Sequence, residues 1–233
     1  MEKYTAIVLA AGVGKRMNSK IQKQYMLLGG KPVLFYALDA FEKSRVDEII
    51  LVVGKGEIEY CRKEIVEKYK FHKVTKIVEG GKERYHSVYE GLKAIDTADY
   101  VLIHDGARPF LDQQILTRTM EAVKQYQACV VGMPVKDTIK ITTEDGFSKE
   151  TPERKHVWMI QTPQCFSYSL IFEAYQKMLQ NEDTTITDDA MVLEKVKGLP
   201  VKMVEGSYRN IKITTPEDLL VAEAYLGDIF QDV

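Results

Sequence analysis

The chain reads Ile7-Val8-Leu9-Ala10-Ala11-Gly12-Val13-Gly14-Lys15-Arg16-Met17 near its start, with Lys23-Gln24-Tyr25 shortly after. An apolar run ends in small residues and two glycines, and cations follow at once. Glycine lets main-chain N–H groups approach phosphate oxygens with no Cβ in the way. Arg16 and Lys23 are then placed to meet the negative charge, Arg as a fork and Lys as a point charge. A strand, a glycine loop and a cation in that order point to a chain that handles nucleotides. The plainer alternative is an ordinary glycine-rich βα turn with surface cations.

Commoner glycine patterns fit poorly. A dinucleotide-binding turn has Gly-x-Gly-x-x-Gly/Ala, but Met17 stands at the sixth position. No acidic residue closes the next strand, near residues 49–53, to hold a ribose. A Walker loop has Gly-x-x-x-x-Gly-Lys-Ser/Thr; here Leu9 replaces its first Gly and Arg16 its Ser/Thr. The stretch therefore predicts a third kind of strand-to-loop phosphate site.

Outward from this stretch, apolar runs at 5–9, 48–53, 74–78, 100–103 and 128–134 alternate with helical patterns at 32–41, 57–69, 84–95 and 113–125. The runs are nearly unbroken Val, Ile and Leu, as expected when both faces of a sheet are covered. Alternating β and α predicts an α/β fold: a Rossmann-like, mainly parallel sheet with helices on both faces and right-handed crossovers. Ligands of such sheets bind beyond the carboxyl ends of the strands. The rhythm breaks at 136–157, where alternating residues and Asp145-Gly146 predict a β-hairpin arm. That arm packs either on a second subunit or back on its own domain. Helices near 168–180 and 188–195, strands at 201–204 and 211–213, and a helix from Pro216 complete the chain. Thr215-Pro216-Glu217-Asp218 is a helix start with Thr as N-cap. With no linker or repeat in view, residues 1–233 read as a single domain.

Bulk composition narrows the classes. A chain of 233 residues, 45% hydrophobic and 28% charged, builds a globular core rather than a disordered chain. A net charge of −2 argues against a dominant nucleic-acid surface. Three widely spaced cysteines, Cys61, Cys129 and Cys165, with no CxxC, point to reduced thiols in a cytoplasmic protein. No signal segment or membrane-length apolar run is present. The four histidines lack metal-ligand spacing, which argues against a protein-held zinc.

Further motifs fall after strands. His104-Asp105-Gly106-Ala107-Arg108-Pro109 places Asp105 to hold a divalent cation or a ribose hydroxyl, and Arg108 to hold a phosphate; a stiffening Asp105–Arg108 ion pair is the alternative. Gly80-Gly81 permits close backbone approach, to a base edge for example, with Ser87 as a hydrogen-bonding partner. Thr185-x-x-Asp188 reads first as a capping box, though a phosphate also suits a helix start. Lys212, flanked by Ile211 and Ile213, is poorly explained as a solvated charge and could reach a triphosphate from the side opposite Lys23.

Together these segments resemble the cytidylyltransferases that join CTP to 2-C-methyl-D-erythritol 4-phosphate in isoprenoid precursor synthesis. The resemblance rests on 10–17, Lys23-Gln24-Tyr25, Gly80-Gly81-Lys82-Glu83-Arg84 with Ser87-Val88, 104–109, 135–140, Thr162-Pro163-Gln164, 185–190 and 210–214, in family order from residue 5 to about 226. Gln22 stands where the family usually has Pro, and Gly106 where a second Ala is common. The resemblance implies attack of the acceptor phosphate on the α-phosphorus of CTP with loss of pyrophosphate. It implies Arg16, Lys23, Arg154 and Lys212 as catalytic residues. Ala10, Ala11, Gly12, Gly14, Gly81, Lys82 and Ser87 would surround the nucleotide. Asp105, Arg108, Thr138, Arg154, Thr162, Thr187 and Lys212 would surround the acceptor. Mg²⁺ would bridge the CTP phosphates, with Asp105 a candidate ligand. Thr138 and Arg154 lie on the arm, which in the family reaches across a homodimer. The alternatives are a ribitol 5-phosphate cytidylyltransferase, a sugar-1-phosphate nucleotidylyltransferase and, from another class, a non-catalytic nucleotide-binding regulator. Ala107 and the Thr185–Ala190 run favour the methylerythritol acceptor.

Overall fold

The computed structural model describes residues 2–12, 22–180 and 185–231, with side chains in the last helix described as far as residue 227. In chain order the strands are β1 (Tyr4–Ala10), β2 (Leu27–Leu28), β3 (Lys31–Pro32), β4 (Glu48–Val53), β5 (Val74–Glu79), β6 (Tyr100–Asp105), β7 (Ala128–Pro134), β8 (Ile141–Thr142), β9 (Ser148–Glu150), β10 (Trp158–Ser167) and β11 (Lys202–Glu205). The helices are α1 (Val33–Glu42), α2 (Ile58–Cys61), α3 (Arg84–Lys93), α4 (Gln113–Tyr126), α5 (Tyr168–Gln180), α6 (Asp189–Lys197) and α7 (Pro216–Gln231).

Among the described residues, seven strands form one sheet in the order β11-β7-β10-β6-β1-β4-β5. β10 runs antiparallel to β6 and β7, while the other pairings are parallel. Period-two alternation sends successive side chains to opposite faces. In β1, Ala6, Val8 and Ala10 join a core with α1 and α4, while Ile7 faces a second core under α3, α5 and α6. β4 divides the same way, with Ile49, Leu51 and Val53 on one side and Ile50 and Val52 on the other. This is why the strands read as continuous apolar runs. The chain starts mid-sheet, builds outward through β4 and β5, then crosses to β6 on the other flank of β1. The strand order reverses at β1 and β6, where a crevice opens at the carboxyl edge.

Three local expectations need correction. The helical pattern at 57–69 is α2 continued by a π-helical stretch, Arg62–Glu67. No strand forms at 211–213; Ile213 N–H instead donates to the Ala107 carbonyl at 2.8 Å, tying this segment to the loop after β6 rather than to a ladder. The N-cap of α6 is Asp188, whose Oδ1 accepts from Met191 N–H at 3.0 Å, so Thr185 does not begin the helix. β10 lies in a stretch for which no strand is expected, because Pro163 interrupts it and the β7–β10 register shifts between Ile160 and Gln164.

The hairpin does form, as β8 and β9 with Gly146 at φ +89° in its turn. Its residues are exposed within the one chain. All three cysteines are buried and free. Among the described residues no helix is long and apolar enough to cross a membrane.

Candidate active site

A cavity of about 760 Å³ opens at the strand-order reversal. The loops after β1, β4 and β5, the end of β6 and the 212 segment line it. Of the nucleotide-side candidates, Ala10, Ala11, Gly12, Gly81, Lys82 and Ser87 all lie on its wall. So do Lys23, Asp105 and Lys212. Arg16 and Gly14 fall in 13–21, outside the described residues.

The glycine wall is built by close approach. A Cβ on Gly80 would lie 2.6 Å from the Ala11 Cβ and from Ser87 Oγ. Ser87 Oγ accepts from Gly81 N–H at 3.1 Å, which closes the turn ahead of α3. Glu83 and His86 form a reciprocal capping box at that helix start.

The opposite wall is built on charge. Asp105 ends β6 and meets three cations: Lys212 Nζ at 2.7 Å, Arg84 Nε at 3.2 Å and Arg108 Nε at 4.0 Å. Burial alone would raise the Asp105 carboxyl, but Arg84, Lys212 and Arg108 outweigh it and hold the group well below the usual carboxylate range. Arg108 donates to the Asn210 carbonyl at 2.7 Å, while its buried Nε lacks a hydrogen-bond partner. Among the described residues, Lys23, Lys55, Lys82, Arg84 and Lys212 line the cavity against the carboxylates Glu57, Glu83 and Asp105. The surplus is positive, as a polyphosphate requires.

Arg84 is more deeply engaged than its motif suggests. Its two terminal nitrogens donate to the two oxygens of Asp189 at 2.8 Å each. Asp189 is fully buried and also accepts from the Tyr175 hydroxyl. Gln164 Oε1 accepts from the Asp189 and Ala190 N–H groups at 2.9 Å each, hanging the first turn of α6 on β10. A fork on a buried carboxylate that also accepts from Tyr175 fixes Arg84 in one orientation. Neither Asp189 nor Gln164 was a sequence candidate. Both lie in stretches that carry the family resemblance, Thr162-Pro163-Gln164 and 185–190, but nothing in the sequence singled them out as site residues.

Thr162 lies beneath the cavity, 3% exposed. Its Oγ accepts from Asp105 N–H at 3.1 Å and sits 3.0 Å from His104 Nδ1. With the hydroxyl proton directed to Nδ1, His104 carries its own proton on Nε2 and donates to the Arg108 carbonyl at 3.2 Å. Burial pushes His104 down to about 4, so the ring is neutral. Three hydrogen bonds thus fasten the loop that carries Asp105 and Arg108.

The remaining candidates do not line this cavity. Thr138 and Arg154 sit on the exposed arm, where Arg154 donates to the Lys136 carbonyl at 2.9 Å. Thr187 is exposed just before α6, with its hydroxyl 3.6 Å from Met191 Sδ. One chain therefore brings together the glycine wall and the Asp105 wall, and leaves the arm residues apart.

Known proteins resemble this chain over almost its whole length. The chain is 54% identical over 228 residues to the 2-C-methyl-D-erythritol 4-phosphate cytidylyltransferase of Lachnoclostridium phytofermentans, covering 98% of each. A crystal structure of 4-diphosphocytidyl-2C-methyl-D-erythritol synthase from Anaerococcus prevotii superposes with a TM-score of 0.86 at 40% identity, covering 97% of this chain and 96% of that one. The Thermus thermophilus 2-C-methyl-D-erythritol 4-phosphate cytidylyltransferase superposes at 0.77 with 29% identity, covering 94% and 97%. Residues 4–228 match the IspD family model, and the chain belongs to the 2-C-methyl-D-erythritol 4-phosphate cytidylyltransferases.

Proposed function

We propose that the cavity between the glycine wall and the Asp105 wall is where this chain carries out its family's reaction, using the residues named below. The reaction transfers CMP from CTP to 2-C-methyl-D-erythritol 4-phosphate, giving 4-diphosphocytidyl-2-C-methyl-D-erythritol and pyrophosphate. The observation that carries the placement is the group of Arg84, Asp105 and Lys212 on the cavity wall, with Arg108 4.0 Å from Asp105, facing a glycine loop across one crevice.

The acceptor phosphate is already ionised near neutral pH, its second pKa being about 6. The attack needs no general base, and the neutral, buried His104 is not placed to act as one. Catalysis is then positioning plus stabilisation of phosphate charge. Lys23 and Arg16 stabilise charge on the α-phosphate and the departing pyrophosphate. Lys212, steered by Asp105, holds the α-phosphate or orients the attacking oxygen. Ala10, Ala11, Gly12, Gly14, Gly81, Lys82 and Ser87 cradle the nucleotide. Asp105, Arg108, Thr162 and Thr187 belong to the acceptor side.

A divalent cation fits this donor set in one way. Among the described residues, no group of three or more His, Cys, Asp or Glu side chains converges. Asp105 is one carboxylate already facing three cations. Mg²⁺ would therefore take most of its ligands from the triphosphate, with Asp105 supplying at most one oxygen. Its chemistry there is to offset phosphate charge and order the triphosphate.

The arm supplies the reading of the assembly. Ile139, Ile141 and Phe147 are 37%, 45% and 72% exposed within one chain. Covering them with a second copy gives a homodimer, in which Thr138 and Arg154 reach the partner's acceptor site. The reduced cysteines and modest net charge support a cytoplasmic enzyme that binds neither membrane nor nucleic acid. The relatives named above carry the methylerythritol activity, and nothing favours ribitol 5-phosphate.

The test is pyrophosphate release with CTP and Mg²⁺, offering methylerythritol phosphate or ribitol 5-phosphate at equal concentration. Release with the former alone is the expected outcome. Release with ribitol 5-phosphate alone would overturn the acceptor assignments.

A further inference from the structure

Lys23 opens a single 3₁₀ turn, Lys23–Tyr25, and each of its neighbours is tied down. Gln22 sits at φ −65°, ψ 141°. Its side-chain amide donates to Glu57, and its side-chain oxygen accepts from Gln24 Nε2. Gln24, 2% exposed, also donates to the Ala10 carbonyl at 2.6 Å. The Tyr25 hydroxyl donates to Glu57 Oε2 at 2.8 Å and lies 3.0 Å from Cys61 Sγ.

Two of these three neighbours converge on Glu57. That residue follows β4, and its carboxylate folds back on its own turn to accept from Gly54 N–H at 3.0 Å. A Cβ on Gly54 would lie 2.6 Å from Glu57 Oε2, so the glycine makes room for the carboxylate. A carboxylate is acceptor-only, and Glu57 spends its oxygens on donors from two separate loops. Gln22, Lys23 and Glu57 all line the cavity.

We propose that Glu57 is a positioning residue for Lys23: it clamps the 22–25 turn to the β4–α2 loop, so that the lysine is presented to the phosphates in a fixed geometry. The proposal rests on the reading of Lys23 as a charge-stabilising residue. A group held in place contributes to the chemical step, because its reorganisation does not add to the barrier. The clamp should therefore act on kcat more than on nucleotide affinity.

The experiment measures kcat and the KM for CTP, with thermal melting alongside, on the full chain with methylerythritol phosphate. The variants are Lys23→Ala, Glu57→Ala, Glu57→Gln, Tyr25→Phe and the double variant Gln22→Pro with Glu57→Ala. Glu57→Ala should lower kcat roughly ten- to thirty-fold while the CTP KM moves less than about three-fold. Glu57→Gln, which keeps one acceptor oxygen, and Tyr25→Phe should each lower kcat about three-fold; they keep the proposal testable if Glu57→Ala folds poorly. Proline fixes φ near −65°, where Gln22 already sits. Adding Gln22→Pro to Glu57→Ala should therefore recover much of the lost kcat.

A crippled Lys23→Ala beside Glu57 variants that melt lower but keep wild-type kcat would overturn the positioning role alone. So would a loss confined to KM, or a double variant no better than Glu57→Ala. An unimpaired Lys23→Ala would overturn the reading of Lys23 and the proposal with it.

Discussion

The Asp105 wall carries four of the expected acceptor-site residues, Asp105, Arg108, Thr162 and Lys212, and the β-arm carries two, Thr138 and Arg154; the two regions differ in almost every physical respect. In the wall, Asp105, Arg84 and Asp189 are joined by ion pairs, with Thr162, Gln164 and Tyr175 answering the polar atoms between them. On the arm, β8 and β9 pair only over Ile141–Thr142 and Ser148–Glu150, and Phe147 is 72% exposed. A site that stabilises phosphate charge needs rigid, desolvated cations, and one chain can supply those only where its own elements converge. β6, β10, α3, α5 and α6 each send a side chain to the wall, whereas among the described residues nothing covers the arm. The Asp105 wall is therefore assembled within one chain, whereas the proposed role of Thr138 and Arg154 calls for a second copy.

The sharpest way to break the wall is Asp189→Asn. Removing the buried charge of Asp189 leaves the Arg84 guanidinium only its 3.2 Å contact with Asp105, and the expected cost is about 3–5 kcal/mol of stability, measured by urea unfolding. A cost below about 1 kcal/mol would mean that the wall is no more rigid than the arm. Lys212→Ala removes a cavity cation without disturbing the core; kcat should fall by about 10²–10³, with a smaller change in the CTP KM. Next in size is a pH effect within the wall. The folded pKa of His104 is lowered from 6.5 to about 4. The unfolded chain thus binds more protons between those values. Its contribution is fully present above about pH 6.5 and is lost as pH falls toward 4, by about 3 kcal/mol in all. Melting against pH should show this slope, and His104→Asn should flatten it; an unchanged slope would sink the assignment. Asp105, also lowered, acts in the same sense but only below the ordinary carboxylate range.

Smaller still is Thr162→Val, which strands Asp105 N–H and should cost about 1–3 kcal/mol. The arm is probed by mixing rather than by melting. Lys23→Ala and Arg154→Ala chains, each inactive, should recover about a quarter of wild-type turnover after subunit exchange, because half of the dimers then hold one intact composite site. Absence of recovery in a mixture shown to exchange would place Arg154 outside the partner's site.

Much of the fold was legible because its signal is local. The runs at 48–53 and 128–134 are apolar on both faces, and they became β4 and β7, each covered on both sides. The stretches read as phosphate or substrate loops at Ala10–Gly12, Gly80–Gly81 and Asp105–Arg108 all follow β1, β5 and β6, so a parallel sheet delivers them to one edge. β10 was not legible, because Pro163 breaks the pattern that strands usually show. Lys212 was expected in a strand; its segment instead borrows a hydrogen bond from Ala107. Arg84 was visible only as part of a glycine-loop motif, since its partner Asp189 lies 105 residues along the chain.

The alternation of strands and helices through β7, the glycine loops at their ends and the resemblance to a cytidylyltransferase family were set by the residues read in line. Hydrophobic period and loop composition belong to neighbouring residues and need no third dimension. Which carboxylate steers which cation, that Thr162 fastens Asp105 instead of lying open, and that Glu57 reaches the turn of Lys23 were decided only on folding. Charge pairing and hydrogen bonding depend on distances of a few ångströms, and sequence separation carries almost no information about those until the sheet has brought its edges together.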